Sequence, residues 1–370
     1  MSDDSHATAA ARVTPKIDRF LRLMTSRGAS DFHLTVGRPP MLRVSGGMEP
    51  IRYRTLLEVD YKDLVQPITS ERLWEEFQAT GDVDFSYEVP GLARYRVNLF
   101  HQQRGSGAVF RIIPTKIMTL DQLGLPDQVR RLADIQSGLV LVTGPTGSGK
   151  STSLAAIIDL INETRNLHVI TIEDPIEFVH ANKKCLIHQR EIGTHATSFA
   201  EALKAAGRED PDLILVGEMR DLETIQMALT AAEKGTIVFG TLHTNNAAKT
   251  IDRIISVFPA DEQEGVRNIL GDALRSVVAQ QLIAKTGGGR VAAMEILFCS
   301  PAIGNMIREG KTPQITSSIQ TGVKEGMIDM DSSIRKLYED GLIGARAALD
   351  KAIDKSNFKE LTEGPTPPAR

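Results

Sequence analysis

The stretch Leu139-Val140-Leu141-Val142-Thr143-Gly144-Pro145-Thr146-Gly147-Ser148-Gly149-Lys150-Ser151-Thr152 runs from four apolar residues through three glycines into a lysine and two hydroxyls. Beyond it, Leu154, Ile157, Ile158 and Ile161 recur at i, i+3, i+4 and i+7, the spacing of one helix face. The order is buried strand, glycine loop, helix, which is the setting a phosphate-binding loop requires. Glycines let successive backbone N–H groups turn inward, and the helix N-terminus that follows favours an anion. Residues 144–152 are therefore the candidate nucleotide-binding residues. Lys150 is expected to reach the β- and γ-phosphates and the Ser151 hydroxyl to ligate a metal, with ATP and Mg²⁺ as cofactors. The bland alternative is a glycine-rich turn without a ligand; the flanking elements in register weigh against it.

Outward from this motif, apolar runs at 169–172, 213–216 and 237–239 alternate with helical patterns, which predicts a parallel sheet. Upstream, short alternating segments at 31–36, 41–44, 83–89, 94–100 and 108–113 are interrupted by helical stretches at Ile17–Ser26 and 70–80. That is an α+β pattern with an antiparallel sheet. The expected organisation is a disordered tail over 1–14, an N-terminal α+β domain over 15–113 and a linker over 114–128. An α/β domain over 129–300, a helical subregion over 301–360 and a second disordered tail over 361–370 follow. At 370 residues the chain exceeds one typical core, so more than one domain is the expectation.

Bulk properties narrow the class. The balance of 43 basic against 47 acidic side chains offers no overall basicity, so no nucleic-acid partner is expected. Only Cys185 and Cys299 occur, without paired spacing, against a disulfide framework or a zinc site. No apolar run reaches membrane-spanning length. Asp3 and Asp4 with no apolar stretch make the start a loose tail rather than a signal peptide, and a cytoplasmic enzyme is expected.

Each expected parallel strand ends in polar residues. The first ends in the glycine loop, the second in Glu173-Asp174-Pro175-Ile176-Glu177, the third in Gly217-Glu218-Met219-Arg220-Asp221 and the fourth in Gly240-Thr241-Leu242-His243. Ligands bind outside the carboxyl ends of strands in open α/β sheets, so these groups should meet in one crevice. Any one acidic cluster alone is more often a solvated loop, and a lone histidine more often structural. Glu218 follows its apolar strand directly and is the expected partner of the attacking water. Glu177, Glu173 and Asp174 would supplement it around the metal, where a nearby cation keeps carboxylates ionised. His243 is placed to sense the γ-phosphate.

On these residues the chain resembles the PilT-type secretion ATPases, the motor family that retracts type IV pili. The blocks that carry the resemblance are 144–152, Ile172-Glu173-Asp174-Pro175-Ile176-Glu177, Asp210-Pro211-Asp212 through Asp221, and Gly240-Thr241-Leu242-His243-Thr244. Ala93-Arg94-Tyr95-Arg96-Val97-Asn98 and Gly107-Ala108-Val109-Phe110-Arg111 extend it into the N-terminal region. The resemblance implies a PAS-like N-terminal domain, a RecA-like P-loop ATPase domain, C-terminal helices and a homohexameric ring. It also implies a partner platform protein at the inner-membrane base of the pilus, and it carries a phosphate-directed role to Arg94, Arg96 and Arg111. A PilU-like accessory ATPase is the nearest alternative and also a possible partner paralogue. Extension and type II secretion ATPases usually carry a four-cysteine zinc insertion. A DNA translocase or a non-hydrolysing sensor would be different classes. Three positions depart from the family pattern: Thr236 where a histidine is usual, Gly207 where leucine is usual, and Gly304 within Ala302-Ile303-Gly304-Asn305-Met306-Ile307-Arg308-Glu309. Gly304 is expected to weaken a helix whose core stripe is Ile303, Met306 and Ile307.

Overall fold

A computed structural model of the chain describes residues 14–44, 46–113 and 116–363, and divides it into two units, one up to residue 115 and one from residue 116. The tails expected over 1–14 and 361–370 fall, at residues 1–13 and 364–370, outside the described residues, as do linker residues 114 and 115.

The first unit is a six-stranded antiparallel sheet of Asp31–Thr35 (β1), Met41–Val44 (β2), Gly47–Pro50 (β3), Asp82–Val89 (β4), Ala93–Gln102 (β5) and Gly105–Ile113 (β6). The strand order is β3-β2-β1-β6-β5-β4. Alternation decides its faces: along β5, Ala93, Tyr95, Val97 and Leu99 are buried while Arg94, Arg96 and Asn98 turn the other way. Helices Ile17–Ser26 (α1), Glu58–Val65 (α2) and Glu71–Thr80 (α3) send Leu21, Met24, Tyr61 and Phe77 into one core with Phe32, Tyr95 and Phe110.

The second unit is built on a seven-stranded sheet. Its strands are Gly138–Thr143 (β7), His168–Glu173 (β8), Leu186–Glu191 (β9), Leu213–Val216 (β10), Ile237–Leu242 (β11), Leu274–Ala284 (β12) and Arg290–Phe298 (β13). They lie in the order β13-β12-β7-β11-β10-β8-β9, parallel throughout except for β13, which runs antiparallel to β12. The four expected parallel strands are β7, β8, β10 and β11. Every residue of β7, β10 and β11 is buried, as strands covered on both faces must be. One face is closed by Lys150–Thr164 (α4) through Leu154, Ile157, Ile158 and Ile161. The other is closed by Phe199–Ala206 (α5), Leu222–Glu233 (α6), Ala247–Ser256 (α7), Gln263–Ala273 (α8), Pro301–Arg308 (α9) and Pro313–Thr321 (α10). Met330–Glu339 (α11) and Ala345–Lys351 (α12) pack with Ile283, Val291 and Ala293 of β12 and β13, and residues 361–363 close the last helix, Lys359–Glu363 (α13).

Two of the sequence departures are resolved by this fold. Gly207 is the residue after α5, so it costs the helix no interior turn. Gly304 does not break α9: the helix runs through it, and its position is a close crossing with Gly271 of α8.

Candidate active site

The chain leaves β7 through glycines whose φ angles, 145° at Gly144, 77° at Gly147 and 88° at Gly149, lie in the region that L side chains avoid. Sterics add a second demand. A Cβ on Gly144 would stand 2.2 Å from the Gln280 carbonyl oxygen, and one on Gly149 2.8 Å from Gln280 Nε2. Gln280, buried on β12, donates through Nε2 to the Ser148 carbonyl and accepts from Ser153 Oγ, both at 2.8 Å. It clamps the loop to the neighbouring strand. Thr143 Oγ1 and Ser148 Oγ are buried without a hydrogen-bond partner, the state of groups at a site built to hold a polar ligand. Pro145, Thr146 and Gly147 are exposed at the tip. Gly149 leads into α4 without a side-chain cap, so the first-turn N–H groups remain for an anion. Ser151 and Thr152 lie half-buried in that turn.

Lys150 curls back over the loop, its Nζ donating to the carbonyls of Gly144 at 2.8 Å and Pro145 at 3.2 Å. Burial depresses its ammonium below the usual lysine range, and the carboxylates of Glu218 and Glu177 act against that. Three strand ends thus meet electrostatically at one lysine.

The strand order explains the meeting, because β7, β11, β10 and β8 are consecutive neighbours and their carboxyl ends lie side by side. Glu218 accepts from His243 Nε2 at 2.8 Å and from Arg220 Nε. Burial works to raise the Glu218 carboxyl, but Arg220 and His243 outweigh it and hold the group below the ordinary carboxylate range. The backbone locks this pair: Met219 N donates to the Thr241 carbonyl at 3.0 Å, and Thr241 Oγ1 donates to the Gly217 carbonyl. At the end of β8, Glu173 accepts from Thr171 Oγ1 at 2.6 Å and Gln189 Nε2 at 3.2 Å, and burial pushes its carboxyl up. The structure turns Glu173 toward its own strand and leaves Asp174 and Glu177 exposed, with Asp174 acting on the Arg220 guanidinium. Thr236 precedes the first residue of β11, at the opposite end from His243, roughly 20 Å away along the strand. Within the chain, no contact to this site is lost by its not being histidine.

In the N-terminal unit, Arg96 stands directly opposite Arg111 across β5 and β6, and Arg94 is two residues along on the same face. Arg111 Nε donates to Asp31 Oδ1 at 2.8 Å, and Arg96 pairs with Asp84 at 3.5 Å. Arg111 keeps 69% of its side chain exposed, while its partner Asp31 is buried and, against that burial, is held below the ordinary carboxylate range by Arg111 and Ser30.

The family described as type II/IV secretion system protein matches residues 7–297. The chain belongs to that family. Over 342 residues this secretion-family chain is 53% identical to the type IV pilus retraction ATPase PilT of Pseudomonas aeruginosa, covering 92% of this chain and 99% of that protein. It is 52% identical over 320 residues to the twitching motility protein of Neisseria gonorrhoeae, covering 86% of each. The crystal structure of the pilus retraction motor PilT with bound ADP superposes with a TM-score of 0.87 at 45% identity, covering 93% of this chain and 99% of that one. The fold is thus that ATPase fold, with mixed α/β sheets.

The sequence of this secretion-family chain assigns no expected role to Gln280 or Gln189, and places Arg220 in the third strand-end cluster without a partner. Gln280 lies in the stretch 274–284 with Arg275, Ser276 and Gln281, so its neighbours in sequence do not single it out; its buried partners do. Gln189 donates to Glu173 and to the Phe178 carbonyl and accepts from His180 N, so it holds the whole loop after β8. Nothing local to residues 186–191 marks that role.

Proposed function

We propose that the chain is a motor ATPase whose hydrolysis of ATP powers retraction of a type IV pilus, acting as a ring of six copies. The observation that carries the reading is the Glu218 carboxylate at the end of β10, gripped by His243 and Arg220, which outweigh its burial and hold it below the ordinary carboxylate range. A carboxylate in that state orients a water for in-line attack on the γ-phosphate. Lys150 would exchange the Gly144 and Pro145 carbonyls for the β- and γ-phosphate oxygens. The N–H groups of residues 144–152 cradle the same phosphates, and His243 reports the γ-phosphate to Glu218.

No three His, Cys, Asp or Glu side chains among the described residues gather closely enough to hold a metal unaided, and the oxygen donors nearest the loop are of the kind Mg²⁺ takes together with substrate phosphates. Ser151, Asp174 and Glu177, with Glu173 behind them, would hold the ion, which when bound supplies charge neutralisation between the phosphates. Arg94, Arg96 and Arg111 are this reading's candidates for further positive charge on the transferring phosphoryl. In this reading the N-terminal unit is PAS-like and the second RecA-like. No helix among the described residues is long and apolar enough to cross a membrane. The motor is assigned to the cytoplasmic side of the inner membrane, docked on a platform protein and working beside a PilU-like paralogue.

Glu218→Gln tests this reading. ATP should still bind within a few-fold while hydrolysis falls by about 10²–10³, and cells carrying the variant should lose pilus retraction. Normal hydrolysis in the variant sinks the reading. Turnover that depends on added nucleic acid would replace it with a translocase.

A further inference from the structure

One buried carboxylate lies under the His243 loop and takes no part in the chemistry described above. Glu295 of β13 is 4% exposed. In register it lies opposite Ala279 of β12, which lies opposite Thr143 of β7, which lies opposite Leu242 of β11. These four residues form one row across the sheet with side chains on the same face, and the row ends where both the phosphate loop and the His243 loop begin. Glu295 Oε1 accepts the N–H of Ala247, the first residue of α7, at 2.7 Å. Ala247 is itself fully buried.

The first turn of α7 and the loop before it are one hydrogen-bonded piece. Asn246 caps the helix through Lys249 N at 2.8 Å, Thr250 Oγ1 donates to the Asn246 carbonyl at 2.7 Å, and the Thr244 and Thr250 hydroxyls share a bond of 2.6 Å. Whatever fixes Ala247 therefore fixes Asn246 and Thr244, and Thr244 is the residue next to His243.

We infer that Glu295 is a positioning residue for His243, and through His243 for Glu218. Its carboxylate anchors the start of α7, where the helix dipole favours negative charge, and so sets where the loop presents Nε2 to the Glu218 oxygen. The inference rests on the proposed roles of Glu218 and His243 in hydrolysis.

Two sets of charges bear on this carboxylate. Burial, and then Asp329 and Asp331 at the start of α11, push it up, while the Ala247 N–H pulls it down; the outcome is about 7. On α7 itself the charged side chains are Lys249, Asp252 and Arg253. Protonation removes the charge that the Ala247 N–H and the helix end attract, so the anchor weakens as pH falls through neutrality.

The test uses the full chain and ATP turnover from about pH 6 to about pH 8.5. Wild-type kcat should rise with an inflection near neutrality. Glu295→Gln should lose that inflection and run about ten-fold slower, with KM for ATP within two-fold because the phosphate loop is untouched. An imidazole titrating in the same range would persist in that variant and is thereby separated. Asp329→Asn keeps the cap of α11 and removes one repelling charge, so it should move the inflection to lower pH with Glu295 intact. That variant decides the matter even where Glu295→Gln fails to fold. Wild-type kcat and profile retained in Glu295→Gln, or an unmoved inflection in Asp329→Asn, overturns the inference. Wild-type turnover insensitive to Glu218→Gln overturns the underlying reading instead.

Discussion

Gly304→Ala sets two physical effects against each other at one position. Helix propensity favours the change by about 1 kcal/mol, because alanine loses less backbone entropy in a helix interior. The crossing of α8 and α9 opposes it. A Cβ on Gly304 would stand 2.6 Å from the Gly271 carbonyl oxygen, and one on Gly271 2.9 Å from the Gly304 carbonyl oxygen, so the two backbones touch where neither residue has a side chain. The blocking atom is backbone and cannot rotate away. The helices must part, straining the packing of Ile303 and Ile307, which are buried with Leu270 in the same core. Overpacking of this kind costs about 1–3 kcal/mol, so the net expectation is a loss of about 1 kcal/mol and a fall in Tm of about 2–4 °C. Thermal unfolding of both single variants and the double variant is the assay. The two losses should not add, since the first substitution already separates the helices. A Gly304→Ala chain melting at or above the parent refutes the reasoning and restores Gly304 as a mere weakness in the helix.

Three further outcomes are expected. Gln280→Leu leaves the Ser148 carbonyl and Ser153 Oγ without their partner, so titration with ATP should show affinity reduced by about ten-fold or more; unchanged affinity would remove Gln280 as the clamp. Glu295, raised from its ordinary 4.5 to about 7, favours the folded state fully below pH 4.5, and that contribution is lost as pH rises through 7. Urea unfolding should therefore show Glu295→Gln gaining on the parent by up to about 3 kcal/mol between acid and alkaline conditions, and a pH-independent difference would contradict it. Arg308 bonds Asp272 of α8 and Asn305, so Arg308→Ala should loosen α9 with ATP turnover preserved and pilus retraction impaired. If turnover and retraction fall together, α9 has no separate coupling role.

The glycine loop was legible without a structure because its information is local. An apolar strand, left-handed glycines and a helix stripe lie within about twenty residues, and chirality and periodicity act over that range. Glu218 and His243 were legible for a related reason: each follows an apolar strand directly, and parallel strands bring their ends together. β12 and β13 were harder. Ala279 to Leu282 in β12 and Ala292 to Glu295 in β13 suit a helix as well as a strand, and the pairing of β12 with β7 and of β13 with β12 makes them sheet.

What the sequence alone determined is thus the nucleotide loop, the alternation of the first sheet and the carboxylate and histidine at the strand ends. The tertiary structure alone decided that Gln280, 132 residues from Ser148, clamps the loop, that Glu173 turns inward to Thr171 and Gln189, and that Gly304 is a crossing point. It also decided that Glu295, 48 residues beyond Ala247, anchors α7. The physical reason is common to all four. A buried polar group or a bare backbone is defined by its partner, and that partner is chosen by sheet order and helix packing, which no local pattern records.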